Sequence, residues 1–108
     1  MNVRHRRGAG EIVIWLEGEI DLANAAVVDE EIHAALDDES RIVIDLSRTA
    51  YIDSAGLRLL FTLAKSVGDR LSIVLPEDSP LQRVVTMVGL PQVVTLRSEP
   101  AGEPPAQA

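Results

Sequence analysis

Ile42-Val43-Ile44-Asp45-Leu46-Ser47-Arg48-Thr49-Ala50-Tyr51-Ile52-Asp53-Ser54-Ala55-Gly56-Leu57 is the stretch that decides the fold. It opens on Ile42 to Leu46, a short run rich in β-branched residues, the pattern of a strand buried on both faces. It closes on Ser54, after which Leu60, Leu63, Ala64 and Val67 recur at helical spacing. A buried strand followed by a helix is the unit from which α/β domains are built, and the chain repeats it on either side. Upstream, Ile12 to Leu16 reads as a strand ended by Glu17 and Gly18. Ala25, Val28, Ile32, Ala35 and Leu36 then line one face of a helix, with Asp21 and Asn24 as candidate caps. Downstream, Gly68 closes the helix that starts at Ser54, and Leu71 to Leu75 is a strand stopped by Pro76. Ser79-Pro80-Leu81-Gln82 reads as a capping box opening a helix with Leu81, Val84, Val85 and Val88 on one face. That helix stops at Gly89, and Val93 to Leu96 is a last short strand. The expected architecture is an α/β domain with a mostly parallel central sheet of four to five strands and helices packed on it. The domain spans residues 11–97. Residues 1–10 form a basic segment that could add an edge strand through residues 2–6. Pro100, Gly102, Pro104 and Pro105 leave residues 98–108 with almost nothing apolar, which predicts a disordered tail.

Composition excludes several functions. The chain has 108 residues, enough for one core but not two. Aromatic residues make up 3% (Trp15, Tyr51 and Phe61), so stacking on single-stranded nucleic acid has little to work with. A formal charge of −7 repels phosphate backbones, and direct nucleic-acid binding is not expected. No Lys or Arg lies between Glu11 and Ser40, and this acidic stretch is read as a solvated helix face rather than a docking site for a basic partner. Cysteine is absent, which removes disulfides and thiolate chemistry and fits a cytoplasmic protein. No apolar run is long enough for a membrane span, and no signal peptide is recognisable.

In parallel α/β domains, function gathers where strands end and helices begin. Two segments qualify: Gly18 to Asn24, and Tyr51 to Leu57. In the second, Ser54 lies at a helix N-terminus, where unpaired N–H groups and the helix dipole favour a phosphate. Gly56 leaves one side of the first turn bare, open to the backbone of a partner. The plain alternative is that Asp53 or Ser54 caps the helix and does nothing else. An enzyme has little support. His5 lies in the basic start and His33 in mid-helix, so no Ser-His-Asp set is in view. No phosphate-binding glycine motif occurs, and two histidines without cysteine argue against a metal cluster. Asp45 suggests a phospho-accepting receiver aspartate, but the sole lysine, Lys65, falls inside a helix rather than at a strand end. The helix from Ser54 is nearly apolar all round once Leu57, Leu59 and Phe61 are counted. It is therefore buried by default, or else shows an apolar patch to a partner.

Asp53-Ser54-Ala55-Gly56-Leu57 resembles the signature segment of the anti-sigma factor antagonists, single-domain members of the STAS family. Leu16 to Asp21, Ile42 to Ser47, and Ser79 to Val84 with Gly89-Leu90 extend the likeness from about Ile12 to Leu96. The resemblance implies that Ser54 is phosphorylated by a cognate anti-sigma factor serine kinase. It implies that the unphosphorylated protein binds that kinase and frees the sigma factor, and that a metal-dependent serine phosphatase resets the switch. Asp21, Asn24, Asp53, Ala55, Gly56 and Arg58 would form the partner surface, with no cofactor, no metal and no enzymatic activity. The alternative it allows is a docking subunit of a transport ATPase or other assembly, without a phosphate cycle. The chain departs from the family in its short start and its Pro-rich tail, where many members carry a final helix.

Overall fold

The computed structural model describes residues 1–106. Its centre is the strand β2 (Glu11–Ile20), whose apolar run satisfies partners on both edges. On one side it pairs antiparallel with β1 (Asn2–Gly8), in register from Asn2 opposite Glu17 to Gly8 opposite Glu11. Ala9 and Gly10, at φ 53° and 76°, form the two-residue turn between them, a left-handed pair that matches the twist of a hairpin. On the other side β2 has two parallel neighbours. Its first half pairs with β3 (Arg41–Asp45), and its second half with β4 (Thr49–Ile52). The ladder slips between Gly18 and Glu19, with Gly18 at φ 116°, so the strand bends there instead of ending. Beyond β3 the sheet continues in parallel through β5 (Leu71–Val74) to β6 (Thr95–Arg97).

The α/β class and the mostly parallel sheet are as expected, but the sheet has six strands rather than four or five. The edge strand allowed for at residues 2–6 forms in full as β1, seven residues long, and is the fifth. The sixth is β4, too short and too exposed in its middle to resemble the apolar strands. Thr49 and Ile52 are buried there while Ala50 and Tyr51 are exposed. The helix α1 (Ala25–Ala35) buries Val28, Ile32 and Ala35, and α2 (Ser54–Val67) buries Leu59, Leu60, Leu63, Ala64 and Val67. Leu57 and Phe61 are half-buried, so the apolar breadth of α2 is mostly spent on the core. The third helix, α3 (Gln82–Met87), is shorter than its sequence pattern. Ser79 Oγ does accept from the Leu81 amide at 3.1 Å, but the Gln82 side chain donates to the carbonyls of Leu75 and Pro76. The capping box therefore stays open, and its glutamine ties the helix to the end of β5 instead. Among the described residues no helix is long and apolar enough to cross a membrane.

The segment for which composition predicts disorder has no helix or strand, yet residues within 98–106 lie on the sheet. Ala101 packs against Val13, Trp15, Val43 and Val74 on the face opposite the main core. Residues 107 and 108 of that expected tail lie outside the described residues.

Two local devices fix the elements that carry the site. The buried Thr49 hydroxyl donates to the Leu16 carbonyl at 2.6 Å, pinning β4 to β2. Replacing it by valine leaves a buried carbonyl short of a donor, so Thr49→Val should lower unfolding stability by about 1–3 kcal/mol. An unchanged urea midpoint would remove this role. Asp37 closes the turn after α1, accepting from the Ser40 amide, the Ser40 hydroxyl and the Glu39 amide, with Arg7 alongside. Those bonds, the Ser40 amide first, hold its carboxyl at about 2 against an ordinary 3.8. A depressed value means stability that is complete above the ordinary value and lost as pH falls through the folded one. Acidification from about pH 5 to about pH 2 should therefore cost the wild type more than Asp37→Asn. Parallel urea midpoints across that range would show otherwise if Asp37 were not responsible.

Candidate functional site

The ends of β2 and β4 and the starts of α1 and α2 meet at one corner of the domain. Asp53 leaves β4 in extended conformation and caps α2, its Oδ1 accepting from the amides of Ala55 at 2.8 Å and Gly56 at 3.2 Å. Its Oδ2 accepts from the Leu22 amide at 3.0 Å, in the loop after β2. Its own amide donates to the Ile20 carbonyl at 3.1 Å. Desolvation of the half-buried group pushes its pKa upward, but the amides of Gly56, Leu22 and Ala55 together outweigh this and hold the carboxyl below its ordinary value. Asp53 is therefore the cap, and Ser54 is the exposed first residue of the helix.

This corrects one expectation about Ser54. The amides of Ala55 and Gly56 already serve the Asp53 carboxylate, and that of Leu57 donates to the Asp53 carbonyl at 2.9 Å. A group attached to Ser54 would still feel the helix dipole, but these three N–H groups are not available to it.

The loop 20–24 is held by its own polar side chains. Asp21 Oδ1 accepts from the amides of Ala23 and Asn24, while Asn24 accepts from the Asp21 amide at 3.0 Å and donates to the Glu19 carbonyl at 2.8 Å. Both side chains are half-buried and occupied in shaping the loop. The loop presents Leu22 instead, 81% exposed. Between α1 and α2 runs a groove of about 300 Å³ whose lining includes Leu22, Ala26, Ala55, Arg58 and Thr62. Ser54 directly precedes Ala55 on this rim.

The structure thus brings Asp21, Asn24, Asp53, Ser54, Ala55 and Arg58 to one corner. Gly56 belongs to that corner but not to its surface. It is buried, and a Cβ there would come within 2.4 Å of Ile52 Cγ1 and 3.0 Å of Ile20 Cγ2. The bare side of the first turn faces the protein's own strands, not an incoming partner. Leu22, Ala26 and Thr62 were not legible as site residues. An isolated leucine in a polar loop is the one signal the sequence offers for them. Among the described residues no three His, Asp or Glu side chains gather as a metal site.

Comparison with known proteins gives the corner a context. A family model described as Mlab, STAS domain matches residues 3–96. The chain belongs to the STAS domain family. Within it, the chain is 32% identical over 91 residues to the anti-sigma-F factor antagonist RsfB of Mycobacterium tuberculosis, covering 82% of this chain and 75% of RsfB. The crystal structure of an anti-sigma factor antagonist from Mycobacterium paratuberculosis superposes with a TM-score of 0.80 at 25% identity, over 91% of this chain and 86% of that one. SpoIIAA of Bacillus in its phosphorylated form shares the fold with a TM-score of 0.62 at 20% identity, over 91% of this chain and 93% of SpoIIAA. The resemblance read from Asp53 to Leu57 is borne out at the level of the family and of its anti-sigma factor antagonists.

Gly56 offers a direct test of how this STAS domain positions its corner. Gly56→Ala should destabilise the fold by about 1–3 kcal/mol, the usual cost of overpacking, and combining it with Ile52→Ala, which removes the Cγ1 that the new Cβ would meet, should cost less than the sum of the two single changes. Equal stability of wild type and Gly56→Ala in urea would show that the helix start is not in close contact with β4.

Proposed function

We propose that the chain is a non-enzymatic anti-sigma factor antagonist, switched by phosphorylation of Ser54. The observation that carries this reading is the exposed Ser54 hydroxyl at the start of α2, beside a capping carboxylate that has consumed the nearby amides. A phosphate there adds about −1.5 to −2 charges at pH 7. With Asp53 already seated on the N–H groups, that charge projects outward into whatever docks on the corner. Arg58, four residues on and exposed, shares the Ser54 face of the helix and can partner the phosphate.

In this reading the unphosphorylated protein offers the groove between α1 and α2, with exposed Leu22 at its rim, to an anti-sigma factor that is also a serine kinase. Binding frees the sigma factor. Phosphorylation places a charge in the contact that docking would have to strip of water even beside Arg58, and about 1.4 kcal/mol of such a cost already reduces affinity tenfold. A metal-dependent phosphatase would restore the hydroxyl, and all partners would meet the protein in the cytoplasm. Asp21 and Asn24 act by holding the loop, while Ala55 and Arg58 line the contact itself. The names of the relatives support the antagonist role, and phosphorylated SpoIIAA exemplifies the fold carrying a phosphate.

Phosphopeptide mass spectrometry of the protein from its native cells, with Ser54→Ala as control, tests the switch. Phosphate at Ser54 is the expected result. Ser54→Ala should bind the anti-sigma factor and resist modification, and Ser54→Asp should bind at least about tenfold more weakly. A Ser54 that stays unmodified through growth and stress, in a protein that still recovers a transport ATPase, would replace this reading with the docking-subunit one.

A further inference from the structure

The face of the sheet opposite the main core carries the chain's one tryptophan, and it is closed. Val13, Trp15, Val43 and Val74 form a separate cluster, each at most 4% exposed. No helix residue belongs to it, and the residue packed against it is Ala101 of the C-terminal segment. The segment is held at defined points. The Ala101 amide donates to Oδ2 of Asp45 at 2.8 Å, and the Trp15 indole Nε1 donates to the Gly102 carbonyl at 3.2 Å. Arg4 donates to the Pro105 carbonyl at 2.9 Å, and Arg48 pairs with Glu103. Arg6 lies over the Trp15 ring, 5.1 Å from its centroid.

We propose that this face is a binding surface for an extended, acidic, Pro- and Gly-rich segment, occupied in cis by residues 98–106, and that the segment is a strap that opens without unfolding the domain. The chemistry of the two sides matches. A proline-rich extended chain makes no internal hydrogen bonds and offers its carbonyls to a partner, while an aromatic platform with an N–H donor is what such a chain docks on. Arg48 complements the Glu103 carboxylate, and Arg4 donates to the Pro105 carbonyl. Asp45 supplies the opposite polarity: a wholly buried carboxylate, it takes the Ser47 amide and hydroxyl on Oδ1 and the Ala101 amide on Oδ2.

The segment adds little apolar surface, with Ala101 itself half-buried. On the side chain that donates to Pro105, Arg4 Nε is buried without a hydrogen-bond partner, alone in this among the side-chain polar atoms of the described residues. Attachment by a few polar contacts, against that cost, makes a segment that detaches at far lower free energy than the core unfolds. Opening uncovers Trp15 and its valines as an apolar patch with a basic border.

Gly102 provides a clean perturbation. It sits at φ +94°, and a Cβ there would meet nothing within 4 Å. Gly102→Ala therefore introduces no clash and disfavours only the docked backbone, raising the open fraction by about tenfold. Hydrogen exchange in the full-length chain reads this directly, because the indole N–H of a single tryptophan is unambiguous. The expected result is about tenfold faster exchange of the Trp15 indole and the Ala101 amide, with the Ile14 and Ile44 amides unchanged. Glu103→Lys, which reverses the charge facing Arg48, should move the same two signals in the same direction. A peptide of residues 98–106 added to Gly102→Ala at about millimolar concentration, the scale a short tether supplies, should slow indole exchange again. Free-indole exchange in the wild type would show that no strap forms. Absence of a response to both substitutions would show that the segment is not what protects Trp15. Absence of an effect of the peptide would show that the face is not a binding surface.

Discussion

The Asp53 carboxylate is the constraint on which the corner depends. One of its oxygens holds the amides of the first helical turn and the other holds the Leu22 amide, so a single side chain fixes both the direction of α2 and the position of the loop before α1. A helix N-terminus normally leaves four N–H groups to be satisfied. Here the Asp53 carboxylate takes the amides of Ala55 and Gly56 and the Ile20 carbonyl takes that of Asp53 itself, three of the four, and the hydroxyl of Ser54 is relieved of that task. Gly56 completes the arrangement from the inside. With no side chain, the first turn settles against Ile20 and Ile52, the last residues of the two strands that deliver the loop and the cap. Serine presentation is thus a product of three neighbours: an aspartate that caps, a glycine that lets the helix approach, and a loop that the same aspartate holds in place.

Much of this was legible in the sequence, and the parts that were not share a physical reason. The strands β2, β3 and β5 are buried on both faces, so each residue carries the same signal and the apolar runs stand out. The helices α1 and α2 show their buried faces through residue spacing. The strand β4 is different, because over four residues it buries only its two ends, Thr49 and Ile52, and exposes Ala50 and Tyr51 between them, leaving neither an apolar run nor a period of two to read. The edge strand β1 was foreshadowed at residues 2–6 but not in its full length or its hairpin, because it is written in arginines and histidine and its turn is Ala9-Gly10 rather than the Asn-Gly that announces such turns. The capping box at Ser79 had the right letters, but a glutamine long enough to reach back to Ser79 is long enough to reach Leu75 and Pro76, and it does so. At the corner, the residue types that matter stand in the sequence, but their division of labour does not. Asp21 and Asn24 look like contact residues because they are polar and near the serine, whereas their hydrogen bonds point into the loop.

The two faces of the sheet are finished by different means. Ile12, Ile14 and Leu16 alternate along β2 with Val13 and Trp15, the first set joining the core that α1 and α2 cover and the second joining the small cluster behind it. A strand apolar on both faces needs a cover on both, and this chain has helices enough for one. That deficit explains why a segment of such poor composition can be held at all. It brings almost no hydrophobic free energy of its own, but lies on a surface already committed to being apolar and ringed by polar groups that it meets: Oδ2 of Asp45, the Trp15 indole, and the guanidinium groups of Arg4 and Arg48. Composition measures what a segment contributes to burial and is silent about what the surface beneath it requires.

The proposed switch follows from the same economy of contacts. A rearranging switch needs an element with two packings of similar free energy. The Ser54 corner offers no obvious second packing, since moving α2 would break the Asp53 cap and open the close contact of Gly56 with Ile52 and Ile20. Charge placed on Ser54 can act without that movement. Its effect is felt by a partner whose docking would have to remove the phosphate from water, while within its own domain the phosphate remains solvated beside Arg58. A rigid corner that senses modification through electrostatics alone leaves the rest of the domain, including the strapped face behind the sheet, free to serve a second and independent contact.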